Sequence, residues 1–472
     1  MSPDAVVVGS GPNGLAAAIV LARAGLKTVL REAQATLGGG LRSAELTLPG
    51  YTHDVCSAVH PLALSSPFFR SLPLDGFGLE WVQPPSALAH PLDDGGAAML
   101  ERSIDATAQG LGEGGRDWRA LHAPFVARWA DLAPDVLAPP IRFPDNPVLM
   151  ARFGLTALRS AAAVARGLHG ARARALFAGN AAHSFLPLEA AGTAAFGLLL
   201  SVTGHAVGWP IVRGGSQRLA DALLACFRSL GGEVQAGAPV EHLDELRPAR
   251  IVMLDLGPRQ VVRIAGDRLP ERYRRALERY RYGAAAFKLD WALDAPVPWT
   301  APECARAATV HLGGTLEEVA ASEAAHARGE VHERPFVLFV QATLFDATRA
   351  PAGRHTAWAY CHVPNGCTLD LTDRIERQVE RFAPGFRDRI LARSVHTPAD
   401  FERRNANLVG GDINGGMMDL RQVLARPVAR PVPYRTPLPG VYLCSASTPP
   451  GGGVHGMAGY HAATTALADV VR

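Results

Sequence analysis

Lysine is scarce in this chain of 472 residues: of its 47 lysines and arginines, only Lys27 and Lys288 are lysines. The formal net charge of +3 is small for this length, so we expect no long-range attraction to nucleic acid and no nucleic-acid partner. The six cysteines include no C-x-x-C pair. That absence argues against a thioredoxin-like redox disulfide and against structural zinc, and no metal site is predicted.

Aspartate, glutamate, lysine and arginine are all missing from residues 190–212, a stretch long enough to cross a bilayer. Gly192, Gly197 and Pro210 interrupt it, so we predict a buried helix followed by a strand. Peripheral membrane contact remains an alternative. The first predicted strand follows the N-terminus directly and leaves no room for a secretory signal. The predicted location is therefore the cytoplasm.

The strongest pattern lies at residues 4–32, DAVVVGSGPNGLAAAIVLARAGLKTVLRE. A valine-rich strand is followed by glycines spaced G-x-G-x-x-G (Gly9, Gly11, Gly14), a helix, a second strand and then Glu32. The glycines allow a tight turn, a close approach to a pyrophosphate and close packing of helix on strand. Glu32 is placed to accept hydrogen bonds from a ribose. This order predicts dinucleotide binding, but the fingerprint does not choose between FAD and NAD.

The middle of the chain carries weaker signals. Residues 84–212 read as a largely helical insertion, with helices predicted at 117–137, 148–168 and 171–177. Residues 213–256 return to a strand–helix–strand pattern, with Ser216 as a helix N-cap. Residues 271–428 form a second excursion that contains strands. Its glycine-rich loop, GGDINGG, includes Asn414.

The last 32 residues give the second strong signal, a strand followed by SASTPPGGGVHGMAGYHAA. The helix predicted from Met457 to Val471 begins just after a glycine-rich turn. Such a helix N-terminus suits a flat, negatively charged partner. A reduced flavin has an anionic edge of this kind, so one long ligand would bridge the two ends of the chain.

These motifs resemble the phytoene desaturase and carotenoid isomerase branch of the FAD-dependent, amine-oxidase-like flavoproteins. The likeness extends to bacterial proteins described as phytoene dehydrogenase-related or as pyridine nucleotide-disulphide oxidoreductase domain proteins. It implies an α/β fold, with a Rossmann-like FAD-binding domain built from segments 1–83, 213–270 and 431–472. The inserted mixed-sheet and helical substrate domain would then comprise 84–212 and 271–430.

The resemblance also implies FAD as cofactor and assigns its contacts. The cofactor-binding residues are expected to be Gly9, Gly11, Pro12, Asn13, Gly14, Glu32, Gly39, Gly40, Arg42, Val240, Ser445, Val454, His455, Gly456 and Met457. The sequence departs from the family at Arg42, which follows Gly38-Gly39-Gly40-Leu41, and at the strand end Asp255-Leu256-Gly257-Pro258. These departures concern individual contacts more than the cofactor itself.

For function, we predict an FAD-dependent oxidoreductase that takes a hydride from an apolar isoprenoid- or lipid-like substrate. The reaction would be a desaturation, a dehydrogenation or a redox-neutral isomerisation, with a quinone or oxygen as electron acceptor. His455 is the first choice for a residue beside the flavin ring, followed by His60 and Asn414. A second dinucleotide fingerprint is absent, so a separate NAD(P) site is not predicted. The alternatives are an FAD-containing binding protein without turnover and an amine oxidase, although no aromatic cage is visible in the sequence.

Overall fold

Two large β-sheets, one parallel and one mixed, organise the chain. The structure is a computed structural model that describes residues 2–470, apart from the side chain of Asp267. In chain order the strands are β1 Ala5–Val8, β2 Thr28–Arg31, β3 Ser43–Glu45, β4 Thr52–Asp54, β5 Trp81–Val82, β6 Ser86–Pro91, β7 Ala97–Glu101, β8 Ile211–Val212, β9 Glu233–Gln235, β10 Ile251–Leu254, β11 Ala285–Leu293, β12 Ala307–Leu312, β13 Val337–Val340, β14 His355–Val363, β15 Ile390–His396 and β16 Val441–Leu443.

Helices pack on both faces of the first sheet and on both faces of the second. In chain order they are α1 Pro12–Arg23, α2 Pro61–Ser65, α3 Pro67–Arg70, α4 Ile104–Gly110, α5 Gly115–Val126, α6 Trp129–Val136, α7 Pro147–Ala157, α8 Ala161–Arg166, α9 Ala171–Ala182, α10 Ala194–Ala206, α11 Gln217–Ser229, α12 Pro258–Ala265, α13 Glu271–Glu278, α14 Leu316–Ala327, α15 Thr372–Phe382, α16 Pro398–Arg404, α17 Leu420–Ala425 and α18 Met457–Val470. The predicted end of α18 at Val471 lies outside the described residues.

The first sheet has the strand order β16-β10-β1-β2-β9, and every pair in it is parallel. Its strands come from three separate stretches of the chain, near the N-terminus, after residue 230 and near the C-terminus. β1 and β10 are buried throughout, as expected for central strands covered by helices on both faces. The predicted mixed α/β fold with a discontinuous Rossmann-like domain is confirmed.

The second sheet has the order β15-β11-β14-β13-β12-β6-β7. Most of its pairs are antiparallel, but β12 and β6 run parallel. The interpretation of residues 84–212 as largely helical was incomplete, because β6 and β7 lie in this stretch. All six residues of β6 are buried, so the strand lacks the apolar–polar alternation that would have marked it in the sequence.

Two of the predicted helices are divided. The helix predicted at 117–137 is two helices, α5 and α6, that meet at Arg128, whose φ of −121° is not helical. Pro124 and Pro134 lie within these helices and weaken their hydrogen bonding. The helix predicted at 148–168 is likewise split into α7 and α8, where Ser160 caps the second helix through its hydroxyl.

The uncharged stretch 190–212 forms α10 followed by the short strand β8, as predicted. Much of α10 is buried between neighbouring helices and the second sheet. In the part of the chain that the structure describes, no helix combines the length and the apolar character needed to cross a bilayer.

A buried ion-pair network joins the segment after β13 to β4 and to the start of α11. Arg349, which follows β13, donates to Asp54 Oδ2 on β4 at 2.5 Å, to Asp346 Oδ2 at 2.9 Å and to the Val212 carbonyl oxygen at 2.7 Å. Asp54 also accepts from the Ser216 amide at 2.7 Å. The side chains of Asp54 and Arg349 are almost completely excluded from solvent. The network thus ties the segment that follows the second sheet to the chain around β4 and α11, and a cavity lies nearby.

Candidate active site

One elongated cavity of about 440 Å³ runs from the glycine fingerprint to the second sheet. At the first end it is lined by the turn after β1, by the end of β2 and by the loops after β10. At the far end it is lined by side chains of the second sheet. We call these the dinucleotide end and the sheet end. The dinucleotide end includes residues 8–13, 32–34, 39–40, 238–240 and 255–257, and the sheet end includes His183, Leu200, Trp209, Thr309, Leu338, Val340, Trp358 and Tyr360.

The fingerprint glycines leave no room for side chains. Gly9 has φ +100°, and a Cβ on Gly11 would lie 2.7 Å from Asp255 Oδ2. A Cβ on Gly14 would lie 2.0 Å from the carbonyl oxygen of Gly9. Gly11 is the N-cap of α1, and Pro12 and Asn13 follow it along the cavity wall. The amides at the start of α1 therefore face the cavity at close range, as dinucleotide binding requires.

Glu32 lies at the end of β2, is 7% exposed and lines the dinucleotide end. Its Oε2 accepts from the Ser10 amide at 2.9 Å and from the Ser10 hydroxyl at 2.6 Å. Its Oε1 accepts from the Gln34 amide at 2.9 Å. The carboxylate thus orders the fingerprint turn, and its predicted contact with a ribose stays a prediction.

The glycine segment that contains Gly39 lies in close contact with the fingerprint turn. Gly39 has φ +56°, and a Cβ there would lie 2.8 Å from the Cα of Gly11. Gly39, Gly40 and Arg42 all line the cavity. Within the described residues the Nε of Arg42 is buried without a hydrogen-bond partner, and burial lowers the pKa of this guanidinium. A half-buried cation with one buried, unused donor, beside two close backbone segments, fits a pyrophosphate.

Asp255 is a site residue that the sequence reading missed. Its Oδ2 accepts from the Gly14 amide at 3.0 Å, and the residue is 7% exposed. Burial raises the pKa of its carboxyl group to about 7, against the hydrogen bond from Gly14. The unusual strand end 255–258 was the available signal, but only the parallel pairing of β1 and β10 places this carboxyl group at the start of α1.

The dinucleotide end carries more positive than negative charge. Among the described lining residues there are three arginines, Arg42, Arg263 and Arg404, and two carboxylates, Glu32 and Asp255. Since the pKa of Asp255 is raised to about 7, its carboxyl group is only partly ionised near neutral pH. Val240, the residue predicted near an adenine, also lines this end. The charge balance suits an anionic dinucleotide.

The C-terminal turn contributes Ser445, Gly453 and Val454 to the cavity lining. The lining does not include His455, Gly456 or Met457. His455 is 1% exposed, and its Nδ1 accepts from the Met457 amide at 3.0 Å at the start of α18. Burial lowers the pKa of this imidazole to about 4. His455 therefore caps α18, and its predicted place beside a flavin ring stays a prediction.

His60 does line the cavity, between the two ends. The Ser216 hydroxyl donates to the Ser57 carbonyl oxygen at 2.7 Å, so it accepts from His60 Nε2 at 2.9 Å. Ser216 stands at the predicted N-cap of α11, but its side chain makes these contacts and does not cap the helix. Burial lowers the pKa of His60 to about 4, so the ring is neutral at pH 7, with Nδ1 as an acceptor. Nδ1 has no partner among the described residues.

Asn414 also lines the cavity and packs against the C-terminal turn. A Cβ on Gly452 would lie 2.7 Å from the Asn414 carbonyl oxygen, so the two glycine-rich loops are in close contact. The Asn414 amide donates to Asp412 Oδ1 at 2.8 Å. The structure thus brings His60 and Asn414 to one cavity from positions more than 350 residues apart in the sequence.

Aromatic side chains form the sheet end of the cavity, which the sequence reading also missed. Trp358 and Tyr360 are two residues apart on β14 and therefore share one face of the strand. Both line the cavity, and their ring centroids are 6.0 Å apart with planes inclined by 13°. Lys288 Nζ lies 5.0 Å from the centre of the Trp358 ring and is paired with Asp290 at 2.5 Å. The period-2 pattern Thr356, Trp358, Tyr360 was the signal, but the sequence could not show that this face borders a cavity.

Comparison with known proteins supports this description. The family of NAD(P)-binding Rossmann-like domains matches residues 7–70. The mouse pyridine nucleotide-disulfide oxidoreductase domain-containing protein 2 is 27% identical, over 99% of this chain and 94% of the mouse protein. A lycopene-forming phytoene desaturase from Pseudescherichia vulneris is 26% identical, over 98% of each chain.

A solved structure of putrescine oxidase with putrescine bound superposes with a TM-score of 0.62 and 17% identity, over all of both chains. At this identity the likeness concerns the fold alone. The predicted resemblance is confirmed: the chain contains a Rossmann-like domain, shares the fold of putrescine oxidase, and is similar along almost its whole length to pyridine nucleotide-disulfide oxidoreductase domain-containing protein 2 and to a phytoene desaturase.

Proposed function

We propose that this chain is an FAD-dependent oxidoreductase that dehydrogenates or isomerises an apolar, uncharged substrate. The observation that carries the proposal is the single cavity that joins an arginine-rich dinucleotide end to an aromatic sheet end. A bound FAD would supply the hydride acceptor, because the redox chemistry belongs to the cofactor. The chain would supply binding, orientation and exclusion of water.

The dinucleotide end fits FAD in three respects. Gly11 and Gly39 lie so close that a Cβ on Gly39 would be 2.8 Å from the Cα of Gly11. Arg42 offers a buried donor without a partner. The cavity lining then continues to Ser445, Gly453 and Val454 of the C-terminal turn. Gly9, Gly11, Gly14 and Glu32 would hold the ADP half, and Ser445 and Val454 would adjoin the isoalloxazine.

The sheet end favours an uncharged substrate over an amine cation. Both carboxylates among the described lining residues, Glu32 and Asp255, lie at the opposite end. The aromatic pair Trp358 and Tyr360 offers an apolar surface, and the nearest fixed charge is the ammonium of Lys288. Because Asp290 pairs with this ammonium, no free carboxylate among the described residues lining the sheet end would balance a substrate cation, whereas an apolar substrate needs none.

Groups that could exchange protons with a substrate are neutral at pH 7. His60 presents an unpartnered Nδ1 acceptor, but its pKa of about 4 makes it a weak base. Burial also raises the pKa of the Cys56 thiol to about 11, so that residue is not a thiolate nucleophile. These groups therefore position the substrate and shield it, and strong acid–base catalysis is not expected from them.

Anaerobic reduction tests this proposal. Purified, FAD-loaded protein is mixed with isoprenoid, lipid and amine candidates, and loss of flavin colour is followed. We expect bleaching by an isoprenoid or lipid. Bleaching by amines alone would favour the amine oxidase alternative, for which the aromatic pair is the supporting observation. Isomerised product without bleaching would show the redox-neutral reaction, whereas neither bleaching nor altered substrate at full FAD occupancy would favour a binding protein without turnover. Reoxidation of the bleached protein by oxygen or by a quinone identifies the acceptor.

We further propose that the substrate arrives from an anionic membrane surface. Exposed apolar side chains concentrate on α7 and the loop before it, where Phe143 and Val148 are 83% exposed and Leu155 is 77% exposed. Arg152 falls on the same helical stripe as Val148 and Leu155, and Arg159 follows two residues after the helix. α7 packs on α10, whose Leu200 lines the cavity. Basic and apolar residues together favour anionic lipid.

Sedimentation with vesicles tests the membrane contact. We expect the chain to pellet with phosphatidylserine-containing vesicles at low salt and much less with phosphatidylcholine alone. Leu155→Asp should abolish pelleting, whereas Leu369→Asp, at an exposed apolar residue outside this surface (57% exposed), should not. Equal pelleting of the two variants would refute the assignment of this surface.

A further inference from the structure

Beneath the sheet end of the cavity lies a buried cluster of two imidazoles and one carboxylate, Glu323, His326 and His362. Glu323 and His326 are three residues apart on α14 and so share a face of that helix. His362 comes from β14, two residues beyond Tyr360. All three are buried, at 0%, 7% and 5% exposure. One candidate ligand atom from each lies within 4.8 Å of the others.

We propose that Glu323, His326 and His362 bind a first-row transition-metal ion, with Zn²⁺ or Fe²⁺ as the class of ligand. Two imidazole nitrogens and one carboxylate, without a thiolate, suit these ions better than Ca²⁺ or Mg²⁺, which prefer all-oxygen sites. The proposal is independent of the flavin function. Neither the sequence pattern nor the similarity to known proteins indicated a metal.

The distances are close to those of a bound ion. His326 Nε2 is 3.3 Å and His362 Nδ1 is 2.7 Å from Glu323 Oε2. Ligands about 2.0–2.1 Å from a tetrahedral ion lie about 3.3 Å apart. The first contact already has this spacing, and the second needs to lengthen by about 0.6 Å, which a small rotation of the carboxylate provides. The ion would replace the proton between His362 and Glu323.

The unpaired oxygen of Glu323 supplies the second observation. Oε2 is contacted by both imidazoles, but Oε1 is buried and has no hydrogen-bond partner within the described residues. A buried carboxylate requires positive charge and satisfied lone pairs. Hydrogen bonds from the two imidazoles would satisfy Oε2 and leave the lone pairs of Oε1 unsatisfied. An ion bound at Oε2 could take Oε1 as a second ligand atom of the same carboxylate and balance its charge at the same time.

The site would fix α14 to the floor of the cavity. The His362 ring lies 3.7 Å from that of Phe185 and 5.6 Å from that of Tyr360, which lines the cavity. Aromatic rings therefore separate the ion from the substrate space, and three protein ligands leave a position for water. The expected role is to hold β14, and with it the aromatic pair, in place.

Elemental analysis of the untagged, FAD-loaded chain tests the proposal. Cells are grown with added zinc or iron, and metal is counted by mass spectrometry after desalting. We expect about one ion per chain, falling below about a tenth in Glu323→Gln and in His326→Gln, because each loses a ligand. His311→Gln is the matched control: this buried histidine lies outside the cluster, and its variant should keep the ion.

Two outcomes would overturn the site. The first is wild-type protein with less than about a tenth of an ion per chain after growth in either metal. The second is Glu323→Gln with unchanged metal content. If a variant does not fold, titration of ZnCl₂ into chelator-treated wild-type protein decides, since a specific site saturates at one ion and raises the Tm. Absence of both the saturation and the Tm shift would also refute the proposal.

Discussion

The two ends of the cavity are built in different ways. The dinucleotide end is mostly backbone: glycines at 9, 11, 14 and 39 bring main-chain atoms together, and their conformations follow from short local motifs. The sheet end is made of side chains from β12, β13 and β14 and from two helices. The first end thus depends on main-chain geometry, whereas the second is shaped by this particular set of side chains. Cofactor class and substrate class are therefore set by separable parts of the molecule.

The largest expected effect is on the free energy of unfolding, when the buried ion-pair network around Arg349 is broken. Arg349→Met removes the buried guanidinium that pairs with Asp54 and Asp346. Leaving buried carboxylates without their cation should lower the free energy of unfolding by about 3–5 kcal/mol. Arg119→Met, which breaks an exposed pair with Asp105, should cost less than about 1 kcal/mol. Urea unfolding measures both, and equal losses would show that the junction is not held by this network.

The pH dependence of stability should distinguish Asp255. Its pKa is about 7 in the folded chain and near 4 when exposed in the unfolded chain. Between these values the folded state holds one extra proton, so stability falls as pH rises from 4 to 7, by up to about 4 kcal/mol in total. Above pH 7 this contribution is fully lost and changes no further.

Asp255→Asn replaces the titratable carboxyl group with an amide of nearly the same size, so the pH-dependent contribution of this residue disappears. Relative to wild type, the variant should therefore gain stability as pH rises from 5 to 7.5, measured by urea unfolding at each pH. The buried histidines are common to both proteins and cancel in the difference. FAD affinity above pH 7 should also rise in the variant, because an ionised carboxylate beside the start of α1 opposes an anion. Stability curves with a constant separation between the two proteins would refute the pKa assignment.

Gly14→Ala tests the backbone construction of the dinucleotide end. The added Cβ would lie 2.0 Å from the Gly9 carbonyl oxygen, and a backbone atom cannot turn aside as a side chain can. Overpacking of about 1–3 kcal/mol at the binding turn should weaken FAD by up to about 100-fold. Gly154→Ala, in α7, meets no atom within 4 Å and should leave affinity unchanged. Flavin fluorescence titration measures both variants.

Trp358→Leu should affect only the sheet end. The substitution removes aromatic area from the cavity wall but keeps the site apolar, so the KM of an apolar substrate should rise by about tenfold. The affinity for FAD should stay at its wild-type value, because Trp358 lies on the second sheet. A lower FAD affinity in Trp358→Leu would show that the two ends are coupled.

Glu32→Gln should affect only the dinucleotide end, as Trp358→Leu should affect only the sheet end. The neutral side chain keeps the shape but weakens the charge-assisted bonds to the Ser10 amide and to a ribose, so FAD affinity should fall by about tenfold. The matched control is Glu233→Gln, at an exposed residue of β9. Substrate KM at saturating FAD should not change. Wild-type FAD affinity in Glu32→Gln would refute the predicted ribose contact.

The sequence alone determined the dinucleotide end and the fold class. Strand, glycines, helix and acid follow one another within residues 4–32, so their geometry depends on neighbours along the chain. The fully buried strand β6 escaped notice because burial on both faces removes the alternation that marks a strand. Local patterns thus reveal elements with one solvent-facing side and conceal those without one.

Only the tertiary structure brought distant residues into the site. Asp255 reaches the start of α1 through the pairing of β1 with β10, across more than 240 residues. Trp358 and Tyr360 border a cavity because the second sheet faces the first domain, and His362 meets Glu323 because α14 packs beneath β14. Contacts of this kind depend on sheet order and packing, and no local propensity encodes them. The sequence therefore determined what class of cofactor the chain is built to bind, and the tertiary structure decided what surrounds the space beside it.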